Sequence, residues 1–158
     1  MIQPTSRHFR KINRHHLRDT YENKSNKLCF GSIGIQATEK GFLTVNQIEA
    51  VRRTINSQIK RKGKIWIRAY PASSCTAKPK EVRIGRGKGN VDYWYCRVKP
   101  GRILFEVKTS QRFVAQLAAL LNYALQKLPR HSKIIYRSIL VLNLKYLNVP
   151  ISRISSTN

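Results

Sequence analysis

The sequence predicts one α+β domain: two amphipathic helices packed on one face of a largely antiparallel sheet. Three observations carry this. Two segments place apolar residues at spacings of three and four, and several others alternate with period two. Hydrophobic residues make up 41% of the 158, more than a disordered basic segment would carry. A chain of this length is expected to form one compact domain.

Residues 28–38, LCFGSIGIQAT, combine alternation with β-forming side chains and predict a strand. Gly31 and Gly34 in it mark a bulge or a close approach by another backbone. Thr44 is a good helix N-cap, and Gln47 three residues later completes a capping-box pattern. Val45, Ile48, Val51, Ile55 and Ile59 then form one apolar stripe. Lys60, Arg61 and Lys62 fall where the last turn should be, a place that suits cations, and Gly63 is the expected stop. Residues 64–70, KIWIRAY, alternate as a strand, with Ile65 and Ile67 on one side and Trp66 and Arg68 on the other.

Residues 71–79 read as a loop. Two strands near 91–98 and 102–108 flank Lys99-Pro100-Gly101, a turn signal that predicts an antiparallel hairpin. Ser110 is the expected cap of a second helix. Its stripe runs through Phe113, Leu117, Leu120, Leu121, Ala124, Leu125 and Leu128, and Pro129 ends it. A last apolar strand begins near Lys133, and the residues from Pro150 onward look like a frayed tail.

Charge narrows the function. Thirty-one Lys and Arg face seven Asp and Glu, a formal net charge of +24. Such self-repulsion is relieved by a polyanion, and nucleic acid is the commonest one. A membrane surface would require a helix with Trp, Phe or Leu along one face, and no apolar run approaches the ~18 residues of a membrane span. Cys29, Cys75 and Cys96 are odd in number and form no CxxC pair, which argues against a zinc ribbon and for a reducing compartment.

Several basic segments are candidate RNA contacts. The first eighteen residues contain no acid, and Arg7, Arg10, Lys11 and Arg14 suit an extended arm along phosphates. Arg52 and Arg53 lie off the first helical stripe, and Lys60, Arg61, Lys62 and Lys64 follow it. Residues 78–94, KPKEVRIGRGKGNVDYW, stand out most. Gly85, Gly87 and Gly89 alternate with Arg86 and Lys88, and Lys78, Lys80 and Arg83 precede them. Glycine lets a backbone approach a bulky partner, while the interleaved cations suit phosphates and bases.

Enzyme readings of this loop fail. A dinucleotide fingerprint needs a third glycine in register, a following helix and a later ribose-binding acid, whereas Val91, Tyr93, Trp94 and Tyr95 favour strand. A phosphate-binding Walker loop needs Ser or Thr where Gly89 stands. No carboxylate pair sits in an acid–base motif, and His8, His15, His16 and His131 lack metal-ligand spacing. No catalytic residue, metal site or cofactor is expected.

The same residues carry a resemblance. The opening MIQPTSRHFRK, then FGSIGIQA, LTVNQIEAVRR, GKIWIRAYP, KPKEVRIGRGKGNVDYW and PGRILFE resemble, in order and spacing, the bacterial and organellar large-subunit ribosomal protein sixteen family. The resemblance covers roughly residues 1–128, and RIGRGKGN is its most specific block. It implies an α+β fold and a structural role on large-subunit ribosomal RNA, near the peptidyl transferase centre and the aminoacyl-tRNA site. It also implies that Arg83, Arg86 and Lys88 reach into that region, that the arm follows rRNA backbone, and that neighbouring ribosomal proteins are partners. The expected division is a basic arm at 1–27, an rRNA-binding domain at 28–142 and an extension at 143–158. Residues 13–27 are poorer in glycine than the family pattern, and the likeness fades after Leu128. Because family-like sequence begins at Met1, no removable presequence is expected. The tail rich in Ile, Asn and Tyr suggests an AT-rich genome, hence the mitochondrial matrix, with a plastid or bacterial cytoplasm as the alternatives.

Overall fold

Thr44 and Gln47 close the capping box that the sequence predicts. In the computed structural model, which describes residues 2–4, 11–13, 16–17, 19–60, 62–83, 85 and 87–137 without the side chains of 111–116, helix α1 spans Val45–Ile59. The Gln47 N–H donates to Thr44 Oγ1 at 3.3 Å, and the Thr44 N–H donates to Gln47 Oε1 at 2.9 Å. Ile48, Val51, Ile55 and Ile59 are buried, as the stripe requires. Each such side chain stabilises the fold by about 2 kcal/mol.

The helix ends differently from expectation. Lys60, not Gly63, takes the left-handed cap conformation at φ 46°, so no cation lies in the last helical turn. Gly63 instead opens strand β3, where a Cβ would collide with the Lys108 carbonyl. Its small size serves strand pairing rather than helix termination.

The strands form two antiparallel sheets rather than one. One contains, in spatial order, β3 (Gly63–Ile67), β6 (Ile103–Thr109), β1 (Ile33–Ala37) and β7 (Ser132–Tyr136). The other contains β2 (Gly41–Thr44), β5 (Asn90–Val98) and β4 (Ser73–Ala77). The expected hairpin between 91–98 and 102–108 therefore does not form. The chain does reverse at Gly101, with φ 85°. However, the turn bonds to the end of β1: the Gly101 N–H donates to Ala37 O at 2.7 Å, and the Ala37 N–H to Arg102 O at 2.9 Å. A turn signal specifies reversal; the partners of β5 and β6 lie elsewhere.

The loop expected at 71–79 contains β4. Its sequence, SSCTA, lacks an apolar alternation, but it pairs with β5 from Ser73↔Tyr95 to Ala77↔Asn90. A register shift between Cys75 and Thr76 bends this ribbon. The first strand begins at Ile33, later than the predicted 28. Gly31 and Gly34 do permit close backbone approach, since a Cβ on either would meet backbone atoms of β6. A register shift in β1 also falls between Ile35 and Gln36.

Helix α2 spans Gln111–Leu125. Ser110 is its N-cap by position, but its side chain makes no capping hydrogen bond. Leu117, Leu121 and Ala124 are buried, and Leu120, Leu125 and Leu128 are half-buried. The helix ends four residues before Pro129, and Phe113 lies outside the described side chains. The two helices pack side by side, α2 against β1 and β7, α1 against β3 and across to β2 and β5. Between them and the sheets lies one core including Ile33, Ile35, Phe105 and Val107. No helix among the described residues is long and apolar enough to cross a membrane. Residues 138–158, with the expected extension, lie outside the described residues.

Candidate nucleic-acid interface

The glycine-rich segment is the tip of the ribbon made by β4 and β5. Residues 78–89 connect the two strands, and their outer ends are exposed on both faces. Each glycine has a separate reason. Gly85 and Gly87 adopt φ of 124° and 76° in open space, a conformation that side chains disfavour. A Cβ on Gly89 would run into the Ala77 carbonyl, so that glycine closes the base of the tip.

Lysines hold this tip in shape. Lys78 Nζ donates to Gly85 O at 2.6 Å across the loop. Lys88 Nζ donates to Ile12 O at 2.7 Å and Asn13 Oδ1 at 3.0 Å, while Lys11 Nζ donates back to Lys88 O at 3.0 Å. The arm and the tip, 75 or more residues apart in sequence, are clasped by reciprocal bonds. An ammonium has three donors, so each lysine keeps capacity for a phosphate. Lys80 and Arg83 are exposed on the same tip. Arg7, Arg10, Arg14 and Arg86 fall outside the described residues.

The other candidates sit on separate elements. Arg52 and Arg53 both grip Glu49 on the outer side of α1, at 2.7 Å and 3.0 Å. The Arg52 hydrogen bond, against a smaller opposing effect of burial and with help from Arg53, lowers the Glu49 pKa to about 2. That pair of arginines thus presents a reduced net charge. Lys60 and Lys62 line a surface hollow of about 270 Å³ with Gln58, Ile59 and Thr109, at the C-terminal end of α1, and Lys64 is exposed on β3. Arg61 lies outside the described residues.

The tip thus offers exposed cations, with the exposed Tyr93 ring on the adjoining strand β5. Among the described residues no group of three or more His, Cys, Asp or Glu could hold a metal ion. Residues 4–135 match the family described as ribosomal protein L16p/L10e. The chain belongs to that family. It is 47% identical over 141 residues to large ribosomal subunit protein uL16 of Acinetobacter baumannii, covering 89% of this chain and 100% of that protein. With the same coverage it is 46% identical to the uL16 of Acinetobacter baylyi and 45% identical to that of Psychrobacter arcticus. The L16p/L10e match embraces the clasped residues 11–13, both helices, the glycine-rich tip and all but the last residue of β7.

Sequence reasoning missed the buried anion of this L16p/L10e member. Glu106 is fully buried on the side of the sheet away from the helices, and Oε2 accepts N–H bonds from Cys29, Phe30 and Gly31 at 3.1, 2.7 and 2.8 Å. Arg68 donates to Oε1 at 2.6 Å and to the Lys27 carbonyl at 2.8 Å. Burial alone would raise the Glu106 pKa, but the bonds from Gly31, Phe30, Arg68 and Cys29 outweigh it and hold it below the ordinary carboxylate range. Alternation placed Arg68 on the outer face but gave no sign of its partner. The pair fastens residues 27–31 across the sheet. Nearby, the Ile103 N–H donates to Ser25 O, and Gln36 Nε2 to Gly101 O at 2.7 Å.

Proposed function

We propose that the chain is a non-catalytic structural constituent of the large ribosomal subunit. It binds large-subunit rRNA near the peptidyl transferase centre, beside the aminoacyl-site tRNA, and supports subunit assembly and tRNA positioning. Membership of the L16p/L10e family and relatives named large ribosomal subunit protein uL16 support the ribosomal role. The observation that carries the finer reading is the clasp between a basic arm and a cation-laden glycine tip in a chain of net charge +24. A preformed tip of this kind loses little conformational entropy on entering folded RNA.

The roles follow the elements. Core, sheets and helices supply rigidity. Lys11, Lys78, Lys80, Arg83 and Lys88 bring charge to the tip, joined by Arg86 and by Arg7, Arg10 and Arg14 of the arm. Arg52, Arg53, Lys60, Arg61, Lys62 and Lys64 extend the footprint along α1 and β3. We assign 1–27 to the arm, 28–142 to the rRNA-binding domain and 143–158 to an extension. We also place the protein in mitochondrial ribosomes on the composition of its tail; the bacterial relatives fit the bacterial alternative as well. Sedimentation tests the ribosomal role: the chain should co-migrate with large subunits through a moderate salt wash. Migration at the top of the gradient would overturn it. Replacing both Arg83 and Arg86 with Ala should impair assembly or tRNA accommodation while the fold stays intact. Unchanged subunit profiles and translation would remove the tip from its role.

A further inference from the structure

The outer face of the four-stranded sheet carries a feature that the arm and tip do not explain. Lys64 and Lys108 are direct cross-strand partners, and both are exposed. Like charges in that position destabilise a sheet unless an anion lies between them. Among the described residues neither has an acidic partner. Glu106 is the sole acid in the four strands, and it is buried and bound by Arg68. Next to the lysines, Phe30 and Trp66 stack with centroids 5.9 Å apart at 21°, and Lys64 Nζ lies 5.4 Å from the Trp66 centroid. Phe30 remains 54% exposed. Its backbone N–H donates to Glu106, so the main chain that carries the exposed ring is anchored by a buried carboxylate.

We propose that Phe30, Trp66, Lys64 and Lys108 form a platform for an unpaired nucleotide of ribosomal RNA. The base stacks on the open Phe30 ring, and a neighbouring phosphate sits between Lys64 and Lys108. A ring and a cation pair side by side match one nucleotide, since every base has a π-face and every linkage a negative charge. The site rests on the rRNA-binding reading above and adds a contact on a face distinct from the glycine tip.

The test titrates the full chain with a twelve-residue oligouridylate, a duplex RNA hairpin, polyglutamate and large-subunit rRNA over a series of salt concentrations. Phe30→Ala should weaken oligouridylate binding roughly ten-fold with its salt slope unchanged, as expected for lost stacking. Phe30→Tyr should retain affinity. Lys108→Ala should reduce the slope of log affinity against log salt by about 0.7, the value for one phosphate on a single strand. Both replaced side chains are exposed, and circular dichroism verifies the fold. Equal affinity of Phe30→Ala and the unmodified chain for oligouridylate would overturn the platform, as would polyglutamate protecting these residues in place of RNA. If the unmodified chain fails to bind large-subunit rRNA, the functional reading itself fails. Retained rRNA binding with an indifferent Phe30 variant removes only the platform.

Discussion

At the scale of single residues, Glu106 shows how a buried charge earns its place by organising backbone. Its carboxylate answers three N–H groups and one guanidinium, all within 3.1 Å. Removing its charge leaves Arg68, with a side chain only 17% exposed, without a counter-ion. Glu106→Gln should therefore cost about 3 kcal/mol in urea unfolding at neutral pH. The pH dependence has a definite sign. Because the folded-state pKa is depressed, the contribution is fully present above the ordinary glutamate value of 4.5 and is lost as pH falls through the lower folded value. The unmodified protein should lose stability across that acid window, and Glu106→Gln should lose less. Parallel pH profiles for the two proteins would show that the carboxylate is not the source.

At the scale of elements, the β4–β5 ribbon and the arm act as one unit. Each alone would be a weak structure: a short ribbon with polar outer ends, and a basic segment with little apolar content. Lys88 bonds to Ile12 and Asn13, and Lys11 bonds to Lys88, which makes the two mutually supporting. Lys88→Ala should leave the unfolding temperature nearly unchanged, since these bonds lie outside the core. Amide exchange at residues 12–13 and 87–89 should nonetheless accelerate, and affinity for large-subunit rRNA should fall by more than one lost phosphate contact explains. Protection factors that stay the same in the variant would mean the clasp contributes nothing to order at the tip.

At the scale of the whole molecule, charge dominates. Thirty-one cations face seven acids, and among the described residues four ion pairs use four cations and three acids, so most of the positive charge is left over. Binding to large-subunit rRNA should accordingly fall by roughly a thousand-fold or more between about 50 and 200 mM salt, measured by filter retention, if six or more phosphates are neutralised. A shallow dependence would point to a footprint far smaller than the charge suggests.

What the sequence by itself determined is the local structure with a local cause. Thr44 and Gln47 specify a helix start three residues apart, the stripe from Ile48 to Ile59 specifies its buried side, and alternation specifies β3, β5 and β6. The basic glycine segment and the family blocks were equally legible, because composition and order survive without coordinates. Only the tertiary structure decided which strands pair, since the partners of β5 and β6 are set by contacts with β2 and β1 that no turn signal encodes. It decided that the polar stretch SSCTA is a strand, because pairing with β5 supplied what propensity lacked. It also decided that Glu106 meets the backbone of residues 29–31, across about 75 residues of chain, and that Lys64 faces Lys108. Long-range pairing depends on the summed burial of many side chains, and no short window of sequence contains that sum.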